Sequence, residues 1–550
     1  DSGINPANPS FVGTGPVDGY VHVNPNAPDY LGVCDPAEPS YEPGFTCTDK
    51  LIGAWDFTDS SALDDDGHGS HTASTAAGNF VDASIVAPTL TVNHDISGVA
   101  PHANIISYRV CDDSGCASAG TIAAIDQAIL DGVDVINFSV GSPSPEDPWD
   151  SDSQAAWLGA REAGIAVAHS AGNEGPDPAT VGSPQAPWMM HVAASTHNRA
   201  YFNSVGTMTG GDTTPPADID GVGFTAGYGP ATIVYAGDFA SGLTDNPELC
   251  GVGNLGDEIS PWPAGTFSGE IVVCDRGTFG RVEKGTNVLA SGAGGMVLVD
   301  NGAGLVGDAH DLPAVHITME DGDPLKTWLA SGTGHMATIG GAILDDSAAN
   351  GDILAGFSSR GPNRSVLDMI SPSVAAPGVD IIAADGINNE VSWGFNSGTS
   401  MASPHAAGAL ALLVADHPTW TPAELQSALM TTGNTNVLTE DGVTPATWFD
   451  QGSGRIQVDQ ATLAGLVLDI DNTTFTTANP ADGGDPSSLN LPSMANSQCV
   501  VECEWTRTVT ATTAGTWTAT ATAAEIDLSV SPASFTLAEG ETQDLTITAG

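Results

Sequence analysis

The stretch Asn104-Ile-Ile-Ser-Tyr-Arg-Val110 opens a run that decides the fold class, because four further segments of alternating type follow it before Ser195. Thr121 to Asp131 reads as a helix, Val133 to Ser139 as a strand, Gln154 to Ala163 as a helix and Ile165 to Ser170 as a strand. Short β-branched runs alternating with helical stretches predict an α/β fold built on a parallel sheet with helices on both faces. Each predicted strand is short and apolar, as strands covered on both faces should be. The pattern resumes in an Ala/Leu-rich helix from Thr399 to Asp416, stopped by Pro418. Thr421-Pro-Ala-Glu424 then opens another helix with a capping box and Pro at its first position.

Working outward, the texture changes twice. Residues 198–354 are Gly-rich and strand-rich, with Glu270 to Cys274 and Gly295 to Val299 as strands flanking a helix around Gly280 to Ser291. The segment reads as a domain inserted into a surface loop. It divides the α/β part into residues 1–197 and 355–466. Residues 467–550 show Thr/Ala/Val/Ser alternation with no helical period, as in Thr506 to Thr512 and Ser531 to Leu537. They predict a small β-sandwich of fibronectin or immunoglobulin type, truncated before its last strand, with a disordered linker as the alternative.

Composition fits this plan and excludes several functions. The 550 residues suggest three to four domains, and 41% apolar with 14% charged residues excludes a disordered acidic tail or a charged coiled coil. No window approaches a membrane span, and Asp1-Ser-Gly-Ile4 has no signal-peptide character. Twelve Lys+Arg against 67 Asp+Glu give a net charge of −55, which would repel phosphate backbones and argues against nucleic acid as a partner. The same acidity suits solubility in salty water. The eight cysteines fall into four close pairs: Cys34 with Cys47, Cys111 with Cys116, Cys250 with Cys274, and Cys499 with Cys503. Local disulfides and an oxidising compartment are the natural reading, with zinc lacking a companion pair and free buried thiols the plain alternative.

Three segments carry chemistry: Asp1-Ser-Gly3, Asp66-Gly-His68-Gly-Ser-His71 and Asn396-Ser-Gly-Thr-Ser400-Met-Ala-Ser-Pro404. They supply a carboxylate, an imidazole and a hydroxyl, the set that activates a Ser nucleophile toward a carbonyl. Ser400 is followed directly by a helix, so its hydroxyl is placed where the helix dipole favours developing negative charge. A fourth segment, His169-Ser-Ala-Gly-Asn173, ends a predicted strand on an Asn whose amide can donate to an oxyanion.

These four segments together resemble the subtilisin-type serine proteases, the subtilases, whose chain order is Asp, His, Ser. The resemblance covers about Asp1 to Ala464 apart from the insertion. It implies that Asp1 orients the imidazole, His68 is general base and then acid, and Ser400 is the nucleophile. It further implies that Asn173 and the Ser400 backbone N–H form the oxyanion hole, and that Ser139-Val140-Gly141 and Ser170-Ala171-Gly172 pair with the substrate backbone. Gly269 to Gly277 with Arg281 to Gly285 resembles the protease-associated domain of plant-type and bacterial secreted subtilases. Re-entry at Phe357 to Pro362 and Ala375 to Val379 fits that architecture. The expected partners are protein or peptide substrates, outside the cell, with no cofactor needed for chemistry. Structural calcium is compatible with the family, but its ligand positions are unknown here. In the family the Asp ends a central strand after a propeptide, so a propeptide is expected upstream and this chain reads as a fragment. The α-amino group of Asp1 would then compete with His68 for the carboxylate.

Plainer readings stand beside these. Ser400 could be a helix cap, Asp1 a turn residue and Asn173 a turn Asn. His71 is taken as structural, Leu63-Asp-Asp-Asp66 as a solvated loop rather than a calcium site, and Arg276 and Lys284 as surface residues. The functional alternatives are an inactive fragment or binding module that keeps the fold, and a non-peptide acyl hydrolase.

Overall fold

A computed structural model describes residues 1–302, 304–523 and 526–550. The chain forms two compact units. One comprises Asp1–Ala83, His94–Thr196 and Asp352–Gly550, the other Ser84–Asn93 and His197–Gly351.

The first unit is the α/β part. In chain order its main elements are β1 (Leu31–Gly32), β2 (Leu51–Asp56), α1 (His68–Ala77), β3 (Ile105–Arg109), α2 (Ser118–Asp131), β4 (Val135–Phe138), α3 (Asp152–Glu162), β5 (Ala166–Ser170), β6 (Met190–Ser195), β7 (Val374–Pro377), β8 (Ile381–Ala384), β9 (Trp393–Asn396), α4 (Thr399–Asp416) and α5 (Pro422–Thr431). Strands β1, β2 and β3 form one parallel sheet, and β7, β6, β5 and β4 another. The alternation read from the sequence is therefore an α/β arrangement of parallel strands and helices.

Helix α4 is apolar on nearly every side, so it has no face to give to water and must lie inside. Ala402, Ala406, Ala409, Leu410 and Leu413 are almost completely buried, and they pack with Ala168, Val192, Ala194 and Val374 of the sheet. Helix α5 begins as its sequence predicts. The Thr421 hydroxyl accepts the Glu424 N–H, and the Glu424 carboxylate accepts the Thr421 N–H.

Strands β3 and β4 border a cavity of about 690 Å³ whose walls include Ile106, Tyr108, Val135, Phe138 and Ala407, and which reaches Asp1. Asp1 itself continues the β3 ladder: its carbonyl accepts from the Val110 N–H at 2.9 Å, and its amino group donates to the Tyr108 carbonyl at 3.2 Å. The backbone thus holds Asp1 in place against β3.

After Leu466–Val467 the same unit carries antiparallel strands. Cys503–Ala511 pairs with Thr542–Ala549, which pairs with Leu528–Ser531, while Gly515–Thr518 pairs with Ser534–Leu537.

In the second unit, seven strands close on themselves in the order Ile219–Val222, Ala314–Ile317, Gly295–Val299, Ile271–Asp275, Tyr228–Tyr235, Met336–Ile339 and Ala200–Thr209. The last pairs back with the first, and Ile343–Asp345 adds to its outer edge. The helix between the two central strands runs Arg281–Ala290.

The expectation of a surface Lys284 is wrong. Its side chain is fully buried, its ammonium donates to the Leu249 and Gly277 carbonyls, and burial pushes its pKa down to about 8. Arg276 is likewise mostly covered and pairs with Asp300 at 2.7 Å.

All four cysteine pairs are disulfides: Cys34–Cys47, Cys111–Cys116, Cys250–Cys274 and Cys499–Cys503. Cys250–Cys274 is fully buried and links residues 24 apart. Closing a loop of that length restricts the unfolded chain by about 3 kcal/mol. Replacing both cysteines with serine is therefore expected to lower unfolding stability by about that amount, measured by chemical denaturation. An unchanged midpoint would contradict it.

Candidate active site

The candidate residues each lie just past the end of a parallel strand or at the start of a helix, and ligands of open α/β sheets bind beyond strand ends. Asp1 lies beside Val110, just past the end of β3. His68 is the first residue of α1, Ser400 the second of α4, and Asn173 follows β5.

The Asp1 carboxylate is held from several directions. Its Oδ1 meets His68 Nδ1 at 2.8 Å and accepts the Ser2 N–H at 2.8 Å. Its Oδ2 accepts the Thr72 hydroxyl at 3.2 Å. Thr72 was not singled out in the sequence, although it lies one helical turn beyond His68 and so on the same face. The α-amino group does not take the carboxylate from His68. It bonds to the Tyr108 carbonyl, and burial pushes its pKa down to about 5. Burial also holds the His68 imidazole below its ordinary value, reinforced by that amino group and opposed by Asp66 and Asp64.

Around Ser400, Ser139, the residue that follows β4, acts as a clamp. The Ser400 hydroxyl donates to the Ser139 carbonyl at 3.1 Å, and the Ser139 hydroxyl donates to the Ser400 carbonyl at 2.8 Å. The Ser400 hydroxyl thus rests on Ser139 in this state. Hydrogen bonds of a nucleophile to its base commonly tighten only when substrate binds.

Asn173 is oriented by α4. Its Oδ1 accepts both the Thr399 N–H, at 2.9 Å, and the Thr399 hydroxyl, at 2.8 Å. That fixes the amide so that Nδ2 faces away from Thr399. A Cβ placed on Gly398 would lie 3.6 Å from both Asn173 Nδ2 and the Ser400 backbone nitrogen. The two nitrogens therefore lie equally close to one point beside Gly398, with Met401 Sδ 3.7 Å from it.

A cavity of about 150 Å³ adjoins Ser400 and Asn173. Ser139, Gly141, Ser170, Ala171 and Gly172 all line it. Val140 does not, and its carbonyl instead accepts His169 Nε2 at 3.0 Å. The Ser142–Ser183 backbone bridge bounds one side of this cavity. His71 is buried and bonds to the Ile381 carbonyl at 3.0 Å, in keeping with a structural role.

The acidic run before His68 is in part the expected solvated loop, with Asp65 and Asp66 exposed, but Asp64 departs from it. Asp64 is fully buried, Asp65 pairs with the buried Arg109 guanidinium at 2.9 Å, and Asp66 accepts the His68 N–H at 3.1 Å. These carboxylates serve protein donors, and no group of three or more metal-ligating side chains occurs among the described residues.

The Subtilase family model matches residues 1–454. Among curated proteins, subtilisin-like protease SBT1.6 of Arabidopsis thaliana is 35% identical over 91% of this chain and 67% of its own length. Subtilisin-like proteases SBT1.4 and SBT1.5 of the same plant are each 34% identical over 86% of this chain, and over 62% and 63% of their own lengths. The chain thus spans about two-thirds of the length of the relatives it matches. It belongs to the subtilase family and is of the subtilisin-like serine protease class.

Proposed function

We propose that this chain is a secreted serine endopeptidase in which Asp1, His68 and Ser400 form the catalytic triad and Asn173 with the Ser400 N–H forms the oxyanion hole. Two separately built groups support the reading: the Asp1–His68 pair at 2.8 Å, and the Asn173 Nδ2 and Ser400 backbone nitrogens, both near one point beside Gly398. Four disulfides support an oxidising, extracellular setting. We assign the 198–354 segment as a protease-associated domain and residues 467–550 as a β-sandwich, on the resemblance of the first and the antiparallel strands of the second. A propeptide upstream of Asp1 belongs to the same proposal, and calcium is given no part in the chemistry.

A substrate chain would bind extended along Ser139–Gly141 and Ser170–Gly172, with one side chain in the 150 Å³ cavity. The Ser400 hydroxyl leaves the Ser139 carbonyl, gives its proton to His68 Nε2, and attacks the scissile carbonyl carbon. The oxygen gains negative charge and accepts from Asn173 Nδ2 and the Ser400 N–H. Asp1 keeps Nδ1 protonated and stabilises the imidazolium, which then protonates the departing amine. Water, deprotonated by His68, hydrolyses the acyl-enzyme and restores Ser400. No triad side chain is missing, so the inactive-module reading has no observation in its favour.

The test is incubation with an unfolded protein, with new N-termini identified by mass spectrometry, alongside a small acyl ester. Cleavage at internal peptide bonds supports the proposal. Ester hydrolysis without peptide cleavage would favour an acyl hydrolase instead.

A pH dependence follows from the same geometry. The base must be neutral to act, and burial lowers the His68 pKa. The acid limb of kcat/KM is therefore expected below the ordinary imidazole value of about 6.5. A limb above that value would contradict the assignment of His68 as the base.

A further inference from the structure

We propose that Asp64 is a positioning residue that locks Asp1 and His68 into one rigid pair; this rests on the triad proposed above. Asp64 is completely buried and accepts five hydrogen bonds. On Oδ1 the donors are the Ser2 hydroxyl at 2.9 Å, the Gly67 N–H at 2.8 Å and the Asp66 N–H at 3.1 Å. On Oδ2 they are the Ser70 N–H at 2.7 Å and the Ser70 hydroxyl at 2.6 Å.

Two jobs meet in this one carboxylate. The first is capping. Helix α1 starts at His68 with Gly67 as its N-cap, and glycine has no side chain to satisfy the exposed N–H groups of the first turn. Asp64 reaches forward from outside the helix and takes the Ser70 N–H, which a capping side chain would otherwise accept. Its negative charge also sits at the positive end of the helix dipole.

The second job is linkage. Ser2 follows Asp1 directly, and its hydroxyl stands between Asp64 and α1. It donates to Asp64 and accepts the Gly69 N–H at 2.8 Å. The Asp64 N–H also donates to the Ile4 carbonyl at 3.2 Å. There is no slack in this contact, since a Cβ on Gly69 would fall 2.1 Å from the Gly3 carbonyl oxygen. Asp64 therefore fixes the segment bearing the orienting carboxylate and the helix bearing the imidazole to each other.

Only a carboxylate can accept at both oxygens here. An amide would present an NH2 group to N–H and O–H donors, breaking one set of bonds. The charge matters too. The groups acting on His68 are the carboxylates of Asp1, Asp64 and Asp66, which favour the imidazolium, and the Asp1 amino group, which opposes it.

The experiment compares Asp64→Asn and Ser2→Ala with the parent chain by kcat, KM, pH profile, thermal unfolding and the low-field proton resonance of His68 Nδ1–H. Asp64→Asn is expected to lower kcat at least ten-fold with KM within two-fold, to move the acid limb to lower pH, and to shift or broaden the low-field resonance. Ser2→Ala keeps the charge, so it is expected to lower kcat less and leave the limb in place. Should Asp64→Asn fail to fold, wild-type kcat and an unchanged resonance in Ser2→Ala would overturn the proposal. So would an Asp64→Asn protein with altered melting but parental kcat, limb and resonance. The resonance needs no turnover. If the parent chain proves inactive, the triad reading fails separately, and an unmoved resonance in the folded variants then overturns the role of Asp64.

Discussion

Replacing Ser400 with alanine is expected to lower kcat by about 10⁶-fold, the size seen when the nucleophile of subtilisin is removed. His68→Ala should do the same, and the double variant should be no worse than either. The reason lies in the division of labour. A serine hydroxyl is a weak nucleophile until its proton has somewhere to go, and the imidazole has no use without that proton. Asp1 holds the Nδ1 side of the ring, and Thr72 holds the Asp1 carboxylate in turn. What survives in each variant should come from the oxyanion donors and substrate binding alone. A Ser400→Ala protein that retains proteolysis, or a double variant much worse than both singles, would contradict a triad acting as a unit. Because Ser400 holds the Ser139 carbonyl, melting of the variant should be checked alongside.

The second large effect is expected at Asn173. Asn173→Ala should lower kcat by about 10² to 10³-fold with KM little changed, equivalent to about 3 to 4 kcal/mol of transition-state stabilisation, a range that comes from subtilisin itself. The interaction grows only as the carbonyl oxygen becomes charged, so it contributes little to substrate affinity. Here the amide is preoriented: Thr399 holds its Oδ1 twice, so no reorganisation is needed when charge develops. Thr399→Val, which removes one of those two bonds, should give a smaller fall in kcat in the same direction. If Asn173→Ala raised KM and left kcat alone, the residue would be a binding group and the second oxyanion donor would have to be sought elsewhere.

Much of the fold can be read from local pattern. The α4 bounds follow from Thr399 to Asp416 because a continuous apolar run ends against Pro418, and the α5 start is written in Thr421-Pro-Ala-Glu424. Strand ends are less legible: Asn104–Val110 becomes Ile105–Arg109 and Val133–Ser139 becomes Val135–Phe138, since a ladder stops where its partner stops. Ser84–Asn93 joining the second unit has no local signature either.

The candidate site residues were recognisable by type and context, but their supports were not. Asp64 in an Asp-Asp-Asp run looks like solvent-facing charge. It is buried because the helix behind it lacks a capping side chain and because Ser2, distant in sequence, supplies a donor. Lys284 looks like surface charge for the same reason, yet backbone carbonyls from two other loops enclose it. Val140 shows the converse: a position matched by motif turns its carbonyl to His169 rather than lining the cavity. Each of these depends on groups far apart in the chain, which no window of sequence can show.

The most direct test of the central claim is reaction of the folded chain with a fluorophosphonate probe, followed by mass spectrometry of the labelled peptide. Label on Ser400 alone, abolished by His68→Ala, is the expected result. Label on another residue, or label on Ser400 that survives His68→Ala, would contradict a nucleophile activated by that imidazole.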